Sequence, residues 1–166
     1  MTSCPASIQV GHETREALTL PGVEVGPWCV RECSDRVLVA FADRHYPRRS
    51  IGWPVVGPPG HRLALVTPCE RAVWLTHYTD HPDDGLDAWR CSIFRNEGAG
   101  LSSVLILSAM AMTAEQWGAA PPDGWVTFVD PRKVNGTNPG YCFLVAGWWR
   151  DRNYEHPHLI RLRAAA

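Results

Sequence analysis

The chain has 166 residues, 45% of them hydrophobic, enough to bury the core of one globular domain and too few for two of ordinary size. Sixteen Lys and Arg against seventeen Asp and Glu leave a formal charge of -1. This excludes bulk attraction to DNA or to an acidic membrane as the main means of binding, so any polyanion site has to be a local patch.

The most apolar run, Leu101 to Met112, is short of the ~20 residues a spanning helix needs and holds three serines, so no membrane span is predicted. Six cysteines without a signal peptide point to a reduced, cytoplasmic protein rather than a secreted disulfide scaffold. Cys29 and Cys33 have the spacing of half a zinc site, but no second pair follows at finger spacing. Lys133 is the single lysine. Arginine suits bidentate phosphate recognition better than lysine does, although a GC-rich genome produces the same bias.

In chain order, residues 1–30 read as an irregular arm in which "VEVGPWCV" supplies an edge strand. "SDRVLVAFADRHYPRRS" predicts a helix with Ser34 as N-cap, ending near Arg44 because Pro47 disfavours helix before it, with His45 and Tyr46 at its exit. Strands are predicted over Arg62–Val66 and Ala72–Tyr78, joined as a hairpin by "TPCER", with "AWRCSIF" as a third. "LSSVLILSAMAMTAEQW" predicts a helix apolar around most of its circumference and hence buried. "WVTFVD" predicts a strand closed by Asp130-Pro131, "YCFLVAGWW" a short helix ending at Gly147, and residues 158–162 a last strand. This order describes one α+β or mixed α/β domain.

One junction carries chemistry. "RNEGAG", Arg95 to Gly100, fits R-x-x-G-x-G between a strand and a helix. Gly98 and Gly100 let the backbone approach a ligand, and the first helical turn offers unpaired N–H groups to a pyrophosphate, with Ser102 and Ser103 as possible hydroxyl donors. A structural turn would use the same glycines.

Together with "FLVAGW" after the next strand, this junction resembles the acetyl-coenzyme A binding core of the GNAT acetyltransferase superfamily, over roughly Arg62 to Trp148. The resemblance implies a mostly antiparallel central sheet with splayed strands, flanked by helices. It departs from the usual pattern in one place. Such enzymes commonly carry a proton-donating tyrosine four residues before the glycine of "GW"; here that position is Phe143. Either Tyr141 takes the role or the chemistry is not plain acetyl transfer, and both aromatics also read as core.

Within that superfamily, "HY" at 45–46, "FRNEGAGLSS", "TFVDPRKV" and "NPGYCFLVAGW" are similar to the Mom family of bacteriophage Mu and related phages. That family is implied to add a carbamoylmethyl group to the exocyclic amine of adenine in DNA, using acetyl-coenzyme A and iron, and so to protect the DNA from host restriction. Carried over by position, Arg95 and one of Ser102, Ser103 or Ser108 would hold the coenzyme. His45, Tyr46, Asp130 and Tyr141 would form the reactive centre, with His45 and Asp130 as iron ligands and either tyrosine as ligand or proton relay. Bond formation at an acetyl methyl carbon is hard by acid-base chemistry alone, which gives a redox metal a purpose.

The implied partner is double-stranded DNA with a flipped adenine, its phosphates met by Arg48, Arg49, Arg132 and Lys133. The resemblance leaves monomer and homodimer open. Taken singly, His45 also reads as a helix C-cap, Asp130 as a turn residue and the arginines as solvated surface. The competing functions are a conventional GNAT N-acetyltransferase for a small amine or protein, and a noncatalytic GNAT-fold binding module.

Overall fold

The structure is a computed structural model and describes residues 28–45, 51–134 and 137–166. Its strands are β1 (Cys29–Arg31), β2 (His61–Val66), β3 (Ala72–Tyr78), β4 (Trp89–Asn96), β5 (Trp125–Val129), β6 (Trp149–Arg150) and β7 (Ile160–Ala164). Its helices are α1 (Arg36–Asp43), α2 (Ser102–Trp117) and α3 (Tyr141–Val145). The strands form one seven-stranded sheet in the order β1-β2-β3-β4-β5-β7-β6. Every pairing is antiparallel except β4 with β5, which α2 joins as a crossover. The chain is thus mixed α/β, with no helix among the described residues long and apolar enough to cross a membrane.

The two-residue alternation of β2 explains why the sheet is covered on both sides. Leu63 and Leu65 join a core with α2 and α3, whereas Ala64 and Val66 join one with Leu38, Phe41 and Ala42 of α1. Trp74 is fully buried at the centre of the first core, meeting Phe94 and Trp125 edge-on at 5.9 and 6.0 Å.

The β4–β5 ladder is short. It pairs Trp89 with Trp125, Arg90 with Val126 and Cys91 with Thr127, after which β4 runs on to Asn96 and β5 to Val129 without pairing to each other. Phe143 of α3 packs beside the divergence, 5.8 Å from Phe94 and 5.0 Å from Trp148. It is a buried core aromatic.

Several sequence expectations shift. The cap of α1 is Asp35, not Ser34: its carboxylate accepts from the N–H groups of Val37 (2.8 Å) and Leu38 (3.4 Å), while Ser34 donates to Glu32. The helix α2, though apolar all round, buries one face that includes Ser103, Ser108 and Thr113, and Val104 is exposed. The last strand begins at Ile160 and a two-residue strand, β6, precedes it; both are held by cross-strand pairing rather than by a local pattern. The arm proposed for residues 1–30 lies outside the described residues up to position 27, and β1 does form the sheet edge.

Beyond α1, the described residues on the same side of the sheet are ion pairs rather than a helix. Arg161 donates to Asp151 at 2.7 Å and Arg163 to Asp123 at 3.0 Å, while Arg90 binds Asp84. Asp151 and Arg161 are both nearly buried, so removing one strands the other away from water. Asp151→Ala is expected to lower unfolding free energy by about 3 kcal/mol in urea titrations. The more exposed Asp123→Ala should cost less than about 1 kcal/mol. Equal losses would show that burial does not set the cost.

Candidate functional site

One end of the sheet gathers the candidate chemistry. The C-terminal ends of β4 and β5, the start of β3, the first turn of α2 and the exit of α1 all meet there. A depression of about 740 Å³ lined by Tyr78, His81, Asp83 and Asp87 opens where β3 ends, at the other end of the sheet, away from these groups.

The glycine loop is organised by a residue the sequence reading passed over, Asn96. Its side-chain carbonyl accepts from the N–H groups of Gly98 (3.0 Å) and Ala99 (2.8 Å), and its amide donates to the Gly100 carbonyl (2.8 Å) and to Ser102 Oγ (2.9 Å). Its presence between strand and glycines, as an Asx-type turn former, is the signal that would have found it. Gly98 sits at φ 92° and Gly100 at φ 149°, backbone that side-chain-bearing residues resist. Leu101, the N-cap of α2, has no side-chain oxygen to cap the helix, so the first N–H groups of α2 are offered to an anion by backbone alone. The Arg71 guanidinium lies against Gly98, 3.5 Å from where a Cβ would stand, and the Arg71 carbonyl accepts from Glu97 N–H at 2.7 Å.

Arg95 is on the other side of the sheet. A strict alternation from Trp89 would send it toward α2, but the β3–β4 register shifts at Leu75/Thr76, and Ser92 is the extra residue of the bulge. Arg95 therefore pairs with Val73 and faces α1, while Asn96 takes the α2 side. Its Nε donates to Glu97 at 2.7 Å and its Nη1 to the Arg44 carbonyl at 2.8 Å. Glu97 also receives two bonds from Arg44, both 3.1 Å, and Arg44 and Arg95 together hold its carboxyl below the usual range. This carboxylate fastens the glycine loop to the exit of α1.

His45 lies at that exit, its N–H bonded to the Ala42 carbonyl at 2.9 Å. Burial first, and the positive charge of Arg95 second, push its pKa down to about 4, so the imidazole is neutral at pH 7. Asp130 directly follows β5 and is itself buried. Its carboxylate receives Arg132 Nε at 2.9 Å and Nη2 at 2.7 Å, with the Arg132 backbone N–H at 3.0 Å, and these bonds bring its pKa to about 2. Arg132 is thereby committed to Asp130, whereas the exposed Lys133 closes the turn through its N–H to the Asp130 carbonyl at 3.0 Å.

The remaining residues divide. Tyr141 opens α3 on the opposite side of the sheet and is 61% exposed. Gly140 before it is at φ 79°, where a Cβ would press to 2.7 Å on Leu162. Ser102 is tied to Asn96 and Ser103 is buried. Ser108 accepts from Trp28 Nε1 at 2.9 Å and donates to the Leu105 carbonyl at 3.0 Å. It stands some ~9 Å along the helix from Ser102, in the core rather than at the loop. Tyr46, Arg48 and Arg49 lie outside the described residues. Among the described residues, no three of His, Cys, Asp and Glu come together as a metal-binding group.

Compared with known protein families, with curated proteins and with solved structures, the chain finds no match in any of the three.

The environment of His45 has a measurable consequence. Its folded pKa of about 4 lies below the ordinary ~6.5, so the unfolded chain takes up the proton first. The contribution of this group to stability is complete above pH ~6.5, declines as pH falls toward about 4, and is flat below. An NMR titration of the His45 ring should show a midpoint near 4, and Arg95→Gln should raise it only part of the way because burial is the larger cause. A midpoint in the ordinary histidine range would refute this environment.

Proposed function

We propose that the protein is an acetyl-coenzyme A-dependent transferase of GNAT type, and that its acceptor is the exocyclic amine of adenine in DNA, as in the Mom family. The observation that carries the coenzyme part is the early end of the β4–β5 ladder beside the uncapped start of α2. Parallel strands that separate leave backbone amides able to pair with an extended, amide-bearing chain such as the pantetheine arm of coenzyme A. The glycine loop and the α2 terminus provide donors for its pyrophosphate. A coenzyme lying between the separating strands would run from the α2 side, which carries Ser102 and Tyr141, toward the α1 side, which carries His45.

The residues meet the implied iron only in part. Neutral His45 is in the protonation state that ligates a metal, but both oxygens of Asp130 are occupied by Arg132. The described residues do not form an iron site as they stand, and no step is assigned to the metal. That engagement of Asp130 favours a second reading, ordinary N-acetyl transfer to an amine, which needs no metal. Adenine in DNA requires more of the protein, since the base has to leave the stack to reach an enzyme-bound acyl group.

Nucleoside mass spectrometry of plasmid DNA from expressing cells separates the readings. A carbamoylmethyl increment on deoxyadenosine, absent with His45→Ala, is the expected result. Unmodified DNA from a folded protein that binds acetyl-coenzyme A would leave ordinary acetyl transfer, and failure to bind the coenzyme by calorimetry would overturn both. Asn96→Ala should weaken coenzyme A binding about tenfold by loosening the loop that presents the donors.

A further inference from the structure

We infer that Arg71 binds the phosphomonoester on the ribose of coenzyme A and so selects the coenzyme over its dephospho form, a step that rests on the coenzyme reading above for the identity of the ligand. Other arginines at the sheet and its ends are engaged by carboxylates. Arg44 and Arg95 close on Glu97, Arg90 on Asp84, Arg132 on Asp130, Arg161 on Asp151 and Arg163 on Asp123. Arg71 is exposed, and its guanidinium makes no ion pair or hydrogen bond among the described residues.

The backbone of Arg71 is fixed while its side chain is free. Its N–H donates to Thr67 Oγ1 at 3.3 Å, and its carbonyl accepts from Glu97 N–H at 2.7 Å. Glu70, just before it, turns the hairpin in the left-handed region at φ 55°, a conformation uncommon for a residue with a side chain. These contacts hold the entry to β3 beside the glycine loop, so the guanidinium rests against Gly98, 3.5 Å from where a Cβ would stand. No carboxylate neutralises it there: the loop's own Glu97 is held by Arg44 and Arg95, and the exposed Glu70 forms no ion pair with it among the described residues.

Position selects which phosphate it meets. β3 and β5 flank β4 on opposite sides. With the arm of the coenzyme between β4 and β5 and the pyrophosphate at the loop after β4, the nucleotide end continues to the other flank, where Arg71 precedes β3. That end carries a phosphomonoester, close to a dianion, whose free oxygens accept paired N–H donors from a planar guanidinium. The pyrophosphate is met instead by backbone N–H groups at the start of α2.

Isothermal titration calorimetry of the full chain with coenzyme A and with dephospho-coenzyme A tests this assignment. The wild-type protein should bind coenzyme A about tenfold more tightly than the dephospho form. Arg71→Gln should erase that difference by weakening coenzyme A alone, and Arg71→Lys should retain part of it as a point charge. Unchanged binding of the dephospho form shows that the variant is folded. Equal affinity of the wild type for the two ligands, a preference that survives Arg71→Gln, or an equal loss for both ligands overturns the inference. Equal binding of both leaves the transferase reading standing, whereas binding of neither by the folded wild type sinks that reading and this assignment together.

Discussion

The arrangement depends on one constraint, that β4 and β5 begin as parallel partners and do not remain so. Three residue pairs hold them together at Trp89–Cys91, where Thr127 Oγ1 also donates to the Cys91 carbonyl at 2.8 Å. Past that point large rings take up the space on one side: Phe143 meets both Phe94 and Trp148 edge-on, and Trp74 meets Phe94 in the same way. Edge-to-face aromatics have fixed shapes, and closing the ladder over them would demand repacking of a dense core. The separation of the two strands thus goes with this packing, and it falls at the end of the sheet where α2 starts and α1 ends.

The two sides of the sheet use different physics at that end. On the α2 side the loop is held by hydrogen bonds, with Asn96 making four of them, to Gly98, Ala99, Gly100 and Ser102. On the α1 side charge dominates: Glu97 gathers Arg44 and Arg95, and the positive charge of Arg95 helps to keep His45 neutral. Because Glu97 belongs to the glycine loop and Arg44 to the α1 exit, the two sides are mechanically joined at a single carboxylate. Further along, among the described residues, Asp84, Asp151 and Asp123 paired with arginines lie over the sheet where α1 does not reach.

Much of the fold was legible because its signals are local. The β2–β3 hairpin, the α2 span, β5 and the short α3 follow from runs, alternation and glycine or proline stops, and each appears within a residue or two of the expected place. The shift of the α1 cap by one residue reflects a competition between Ser34 and Asp35 that sequence alone leaves tied. β6 was missed because two residues carry no period; only pairing with β7 makes them a strand.

The candidate site was half legible for a sharper reason. Residue types and chain order determined which groups reach one end of the sheet: glycines before an apolar helix, a histidine after a capped one, an aspartate closing a strand. Which side each faces was decided in three dimensions. One bulged residue, Ser92, reverses the parity of β4 and turns Arg95 from the glycine loop to α1, putting Asn96 in its place. Likewise Ser108, interchangeable with its neighbours on paper, is committed to Trp28 eighty positions away, and Asp130 to Arg132. The sequence by itself determined the elements and the chemistry they carry, because periodicity and turn preferences act over a few residues. Only the tertiary structure decided the partner of each polar group, because register and burial depend on contacts between segments far apart in the chain.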